Sequence, residues 1–235
     1  MVVSDPAATL LRLVTRHGDP PPDRAAPGEQ AEADLVRRRF GLALPPPFAG
    51  AVVDDGGPIR RAVAEDGPAI AAVKWRTFGA SYRGGVLSDL FLDRRDIVPP
   101  ASFWIGRAMV PPSSQHRLLV WGRPGTVLGY CDAGPVHPDD ADPAHPDAAE
   151  VYELYVDPTA QGRGGGRRLL DAALDAFAEF GVPRVELSTL ASNPGAQAFY
   201  ESQGWSRTGR VQHVDLGVVA FDEVRYARAI GRARP

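Results

Sequence analysis

Beyond residue 58 the apolar positions fall into short runs whose period switches between that of a strand and that of a helix. Residues 59–64 read as a strand, Glu65-Asp66-Gly67-Pro68 as a turn and helix start, and 69–81 as a helix with Ile70, Val73, Trp75 and Phe78 available for a buried stripe. Residues 87–91 and 101–108 read as further short helices. Two β-rich runs, 118–121 and 127–131, flank the turn residues 122–125 and predict a hairpin. A Pro/Asp/Ala loop follows over 137–149. After it come a strand at 150–156, a helix at 165–180, a strand at 184–190, a helix at 194–203 and a last strand at 224–229. The order is that of a mixed α/β domain, with its clearest elements in the second half.

Residues 1–56 have a different texture. Pro20 to Pro22 and Pro45 to Pro47 are stiff breaks around two short helical candidates, one carrying Leu10, Leu11, Leu13 and Val14 and one spanning 31–40. They read as a Pro-rich, partly helical N-terminal extension, with Arg37-Arg38-Arg39 on a solvated helix face. The cluster Asp54-Asp55-Gly56-Gly57-Pro58 marks the boundary to a main domain over 57–232.

Composition narrows the classes of function. The 235 residues hold 26 basic and 29 acidic side chains for a formal charge of −3, so there is no global basic field and no nucleic-acid partner is expected. Lys74 is the only lysine, which reflects compositional bias and makes arginine richness uninformative. The lone Cys131 excludes an internal disulfide and a Cys-rich metal site. His137 and His145 lie among acidic residues but are each followed by Pro, so a plain polar loop is expected there and no metal. Residues 1–18 carry Asp5 and Pro6 and no basic segment before an apolar run, and no stretch approaches bilayer length. A cytoplasmic protein without membrane contact is expected.

The segment that carries chemistry runs from Glu150 through Asp157-Pro158 to Leu170. A buried strand enters a Gly-rich loop that opens a helix with Leu169, Leu170, Ala173, Leu174 and Phe177 on one stripe. Unpaired backbone N–H groups at such a helix start favour a phosphate or pyrophosphate, and Gly164, Gly165 and Gly166 permit close approach. A nucleotide-binding Gly-Lys-Ser/Thr loop is excluded because Arg167-Arg168 follow the glycines. A dinucleotide fingerprint is excluded because Arg167 stands where its last glycine belongs. What remains is Gln/Arg-x-x-Gly-x-Gly/Ala, met by Gln161, Gly164 and Gly166.

With the strand end Leu154-Tyr155-Val156-Asp157-Pro158 before that loop, and Asn193, Tyr200 and Gly204-Trp205 after the next strand, residues 59–230 resemble the GNAT superfamily of acetyl-CoA-dependent N-acetyltransferases. The resemblance implies a mixed central sheet with helices on both faces. Main-chain groups of Leu154, Tyr155 and Val156 would meet the pantetheine arm and the thioester carbonyl. Backbone amides over Gly162, Arg163, Gly164, Gly165, Gly166 and Arg167, beside Gln161, would hold the pyrophosphate, and Asn193 would touch the cofactor arm. Tyr200 would protonate the departing thiolate.

The base is less determined. Glu150 and Glu153 stand an odd number of places apart on one strand and so face opposite ways unless a bulge intervenes, which leaves one of them facing substrate. The resemblance favours Glu150, directly or through water. Some ribosomal-protein acetyltransferases use a glutamate on the following strand, where this chain has Ser188 with Glu186 one side-chain step earlier; that departure speaks against a protein N-terminus as acceptor. The expected reaction is acetyl transfer to a primary amine of a small molecule or peptide, and a homodimer is left open. Tyr82, Phe91, Phe103 and Trp104 with Asp89, Asp93 and Asp96 form a candidate acceptor side for a cationic amine. The alternative is a non-catalytic acyl-CoA-binding regulatory module.

Overall fold

The computed structural model describes residues 57–82, 98–137, 140–215 and 220–231. The expected extension over 1–56, the helix at 87–91 and the acidic residues Asp89, Asp93 and Asp96 lie outside the described residues. The described part begins with β1 (Ile59–Arg61), a 3₁₀ turn (Ala64–Asp66), α1 (Gly67–Tyr82) and α2 (Ala101–Met109). It continues through β2 (Arg117–Arg123), β3 (Thr126–Pro135), β4 (Ala149–Val156), α3 (Gly165–Glu179), β5 (Arg184–Leu190), α4 (Pro194–Ser202), β6 (Ser206–Asp215) and β7 (Ala220–Ala229). The strands form one seven-stranded sheet in the order β1-β2-β3-β4-β5-β7-β6, antiparallel throughout except for the parallel pair β4–β5.

Each face has its own core. Ile70, Val73 and Phe78 of α1 and Trp104 of α2 pack on Val120, Tyr130 and Tyr155. Leu169, Leu170, Ala173, Leu174 and Phe177 of α3 and Ala196 and Tyr200 of α4 pack on the opposite face with Trp121, Cys131, Leu154, Val156 and Tyr226. The apolar stripe expected on α3 is thus the buried one, and helices do cover both faces. Trp75 of α1 is only partly buried, while Lys74 and Thr77, polar in the sequence, are fully buried.

The structure extends several elements. The hairpin strands β2 and β3 run on until only Pro124-Gly125 separates them, with Gly125 at φ +74° supplying the left-handed turn residue. The first strand ends at Arg61 instead of continuing to 64, because a 3₁₀ turn begins there, with the Val63 amide donating to Asp66 Oδ2 at 2.8 Å. Strand β6 has no counterpart among the sequence-derived elements: Val214 is its only buried residue, so the alternation that betrays a half-buried strand is missing. Among the described residues no helix is long and apolar enough to cross a membrane.

The start of α3 is seated directly on β2. A Cβ on Gly165 would lie 2.0 Å from Cε3 and 2.1 Å from Cζ3 of the buried Trp121 ring. Gly165→Ala should therefore lose about 1–3 kcal/mol of unfolding free energy through overpacking, read by denaturant titration; an unchanged midpoint would contradict this seating.

Candidate active site

Strand β4, Ala149 to Val156, is buried at every position. Its outer edge is held by β3 along its length, and β5 is likewise held by β7 along its length. Between them the parallel register comprises only Ala149 opposite Val185 and Glu150 opposite Glu186. Past those pairs the two strands part, and residues 151–156 present an inner strand edge that does not pair with β5. An extended ligand can add to such an edge.

The loop beyond β4 is shaped by its own residues. Asp157 Oδ1 accepts from the Thr159 amide at 3.0 Å, and Gln161 Nε2 donates back to the Val156 carbonyl at 3.1 Å, so the Gln161 side chain braces the loop. Gly162 and Gly164 both take φ +78°, and Gly164 is the N-cap of α3. The first bond of the helix runs from the Arg168 amide to Gly164 O at 3.1 Å, which leaves the amides of residues 165–167 without an intrahelical partner. Arg163 donates to Thr159 O at 3.0 Å, and Arg167 lies 3.6 Å from Asp171 on the exposed side of the helix.

On the α3/α4 face stands Tyr200. Asn193 caps α4 by accepting from the Ala196 amide at 3.0 Å, and Gln197 Nε2 donates to Leu190 O and Ala191 O at 3.0 and 2.8 Å, which fixes the helix to the end of β5. Asn193 therefore carries a capping role that the sequence reading did not assign. Tyr200 is fully buried, and its hydroxyl has no hydrogen-bond partner among the described residues. Burial, and secondarily the neighbouring Cys131, push the phenol well above its ordinary range, so it stays protonated at neutral pH. A buried hydroxyl without a partner is costly, and a ligand atom that accepts its proton removes that cost.

The two glutamates do not face opposite ways. Opposite β4, Asp132 pairs with Glu153 and Ala133 with Val151, so Tyr152 is an extra residue and the strand is bulged. Val151 and Leu154 both join the α3/α4 core whereas Tyr155 joins the α1/α2 core, and the bulge turns Glu150 and Glu153 to the α1/α2 face together. What separates them is their partners. Glu153 is fully buried, ion-paired to Lys74 and accepting from the Tyr130 hydroxyl, with the Lys74 ammonium 5.7 and 5.8 Å from the ring centroids of Trp104 and Tyr155. Burial, then the Glu153 charge, raise the Tyr130 phenol far above its ordinary range. Glu153 is thus sealed into the core.

Glu150 sits where β4 and β5 part. Its Oε1 accepts from Arg225 Nη1 at 2.9 Å, while Arg225 Nε donates to Glu186 Oε2 at 2.7 Å and Arg184 Nε to Glu186 Oε1 at 2.8 Å. Arg225 went unremarked in the sequence, although Phe221, Glu223 and Arg225 share one face of β7 by the period of two, and paired charges on a core strand are a usable signal. Beside this cluster lies a cavity of about 400 Å³ lined by Ser188, Arg210, Gln212, His213, Glu223 and Arg225 among others. Its lining side chains are polar apart from Val211. Among the described residues no group of three or more His, Cys, Asp or Glu could hold a metal ion.

The residues present fit an acyl-CoA: a strand edge that does not pair with β5, a helix start whose first amides have no intrahelical partner, and a buried phenol awaiting an acceptor. Burial pushes the Glu186 carboxyl up, but hydrogen bonds from Arg184 and Arg225 outweigh it and hold the group below its ordinary 4.5. A depressed carboxylate stabilises the fold above its unfolded value and loses that contribution as pH falls through its folded value. Glu186→Gln should therefore be less stable than the parent at neutral pH, with the gap closing on acidification below about pH 4.5 in urea titrations; a gap independent of pH would refute the pairing.

The acetyltransferase (GNAT) family model matches residues 85–205. Mycothiol acetyltransferase of Nocardia farcinica is 31% identical over 210 residues, covering 88% of this chain and 63% of that protein. N-alpha-acetyltransferase RimI of Mycobacterium tuberculosis is 39% identical over 115 residues, covering 47% of this chain and 63% of that protein. The chain spans less than two thirds of the length of these curated relatives. The PaiA N-acetyltransferase of Thermoplasma acidophilum, solved in complex with coenzyme A, shares the fold at a TM-score of 0.57 and 17% identity, over 74% of this chain and 98% of that one. With a family model matched across more than half of its length, this chain belongs to the acetyltransferase (GNAT) family.

Proposed function

We propose that the chain is an N-acetyltransferase that uses acetyl-CoA to acetylate a primary amine, the activity residing in residues 57–232 and residues 1–56 forming an extension. The observation that carries this reading is the buried Tyr200 hydroxyl with no partner among the described residues, on the core face shared with Leu154 and Val156. Bound acetyl-CoA would supply the activated acetyl thioester. The inner edge of β4 at Leu154, Tyr155 and Val156, which does not pair with β5, would align the acyl arm, and an amide near Val156 would polarise the carbonyl. The amides from Gly162 to Arg167 would hold the pyrophosphate, reinforced by the helix dipole of α3. As the amine nitrogen bonds to the acyl carbon and the carbon–sulfur bond breaks, Glu150 would take the ammonium proton directly or through water, and Tyr200 would deliver its proton to sulfur.

For the acceptor, the polar cavity lined by Ser188 and by Arg225, the partner of Glu150, favours a hydrophilic amine over an aromatic one. Ser188, where some ribosomal-protein acetyltransferases carry a glutamate, favours a small-molecule acceptor over a protein N-terminus. Mycothiol acetyltransferases among the relatives support the same choice.

Isothermal titration with acetyl-CoA and CoA, followed by a thiol-release screen over amino sugars, amino acids and peptide amines, tests the reading. Binding with release for one amine class is expected; binding without release would support the regulatory module instead. Tyr200→Phe should lower kcat by about 10²–10⁴-fold while acetyl-CoA affinity stays within about two-fold. Unchanged turnover would remove Tyr200 from the mechanism.

A further inference from the structure

We propose that Arg225 is a positioning residue for acyl transfer: from β7 it bridges Glu150 and Glu186 and holds the Glu150 carboxylate at the fork between β4 and β5. The inference rests on Glu150 being the proton acceptor. Glu150 and Glu186 are directly opposed in the last pair of the parallel register, on strands that neighbour one another at about 4.8 Å. They are 3% and 1% exposed, so neither charge is screened by water. Two such carboxylates repel, and without a cation one must swing away or take up a proton.

Arg225 resolves this from the third strand. It stands opposite Ser188 in the β5–β7 register, is 6% exposed, and sends Nε to Glu186 at 2.7 Å and Nη1 to Glu150 at 2.9 Å. Two separate N–H groups aimed at two carboxylates is a task for a planar guanidinium, and an ammonium point charge does it poorly. Arg184 holds the other Glu186 oxygen at 2.8 Å, so Glu186 is fixed from both sides and serves as the anchor for Arg225. The chain Arg184, Glu186, Arg225, Glu150 runs from a fixed end to the group that must meet the amine. Arg225 also lines the polar cavity of about 400 Å³, which puts this support against the space an acceptor would fill.

A double-mutant cycle in kcat separates positioning from bulk stability. Glu150→Gln, Arg225→Met and the double variant are compared by thiol release with the best amine of the screen, or by acetyl-CoA hydrolysis if water is the only acceptor, and acetyl-CoA affinity is titrated in parallel. Arg225→Met should lower kcat about ten-fold or more in the parent, yet change the Glu150→Gln variant by no more than about two-fold, with acetyl-CoA affinity preserved in all three. An equal loss in both backgrounds, or a loss of acetyl-CoA affinity alongside kcat, would overturn the proposal. If Arg225→Met does not fold, Arg225→Lys is carried through the same cycle with the same criteria. Should Glu150→Gln itself leave turnover intact, the assignment of the base is what fails, and the positioning role falls with it.

Discussion

The parallel pairing of β4 with β5 is confined to two residue pairs, and the site is arranged around the point where it stops. Both strands are held continuously on their outer sides, so the parting comes from within a rigid sheet and not from a loose edge. The bulge at Tyr152 lies two residues beyond the last pair and adds local twist to β4 there. One consequence is a stretch of buried main chain whose inner edge does not pair with β5. The other is that two buried carboxylates meet where pairing ends. Buried ion pairs seldom add net stability against a well-packed apolar alternative, though removing one partner is costly, so the Arg225 bridge is better understood as fixing geometry.

The sheet divides the chemistry between its faces. Under α3 and α4 lie the Gly-rich loop, the helix start and the protonated Tyr200 phenol, the groups suited to an anionic carrier and a departing thiolate. Under α1 and α2 lie the carboxylates. There Lys74 neutralises Glu153 inside the core, Thr77 Oγ1 reaches the Val156 carbonyl at 3.3 Å, and Arg76 Nε reaches Asp157 Oδ2 at 2.7 Å. Helix α1 is thus pinned by three polar contacts to the second half of β4 and to Asp157 just beyond it, which fix the strand end whose inner edge does not pair with β5.

Much of this was legible in the order of residues because local rules govern it. A strand rich in Val, Leu and Tyr, glycines in the loop after it and an amphipathic helix announce β4, its loop and α3, and Asn193 with Tyr200 announces α4. What stayed hidden depends on long-range partners. Strand β6 is an edge strand with an exposed face, so its pattern carries no period. The bulge that turns Glu150 and Glu153 to one face comes from a two-against-one match with β3, which no property of β4 alone encodes. Lys74 reads as a surface residue until Glu153, 79 positions away, is seen beside it, and Arg225 lies 75 positions from Glu150.

Hydrogen exchange of the whole chain with and without acetyl-CoA tests the role of the fork most directly. The account predicts slowed exchange at the amides of residues 154–156 and 162–167, with the edge strand β6 unchanged at Ser206 to Arg210. Binding that protects neither segment, or that protects the outer strands instead, would contradict it.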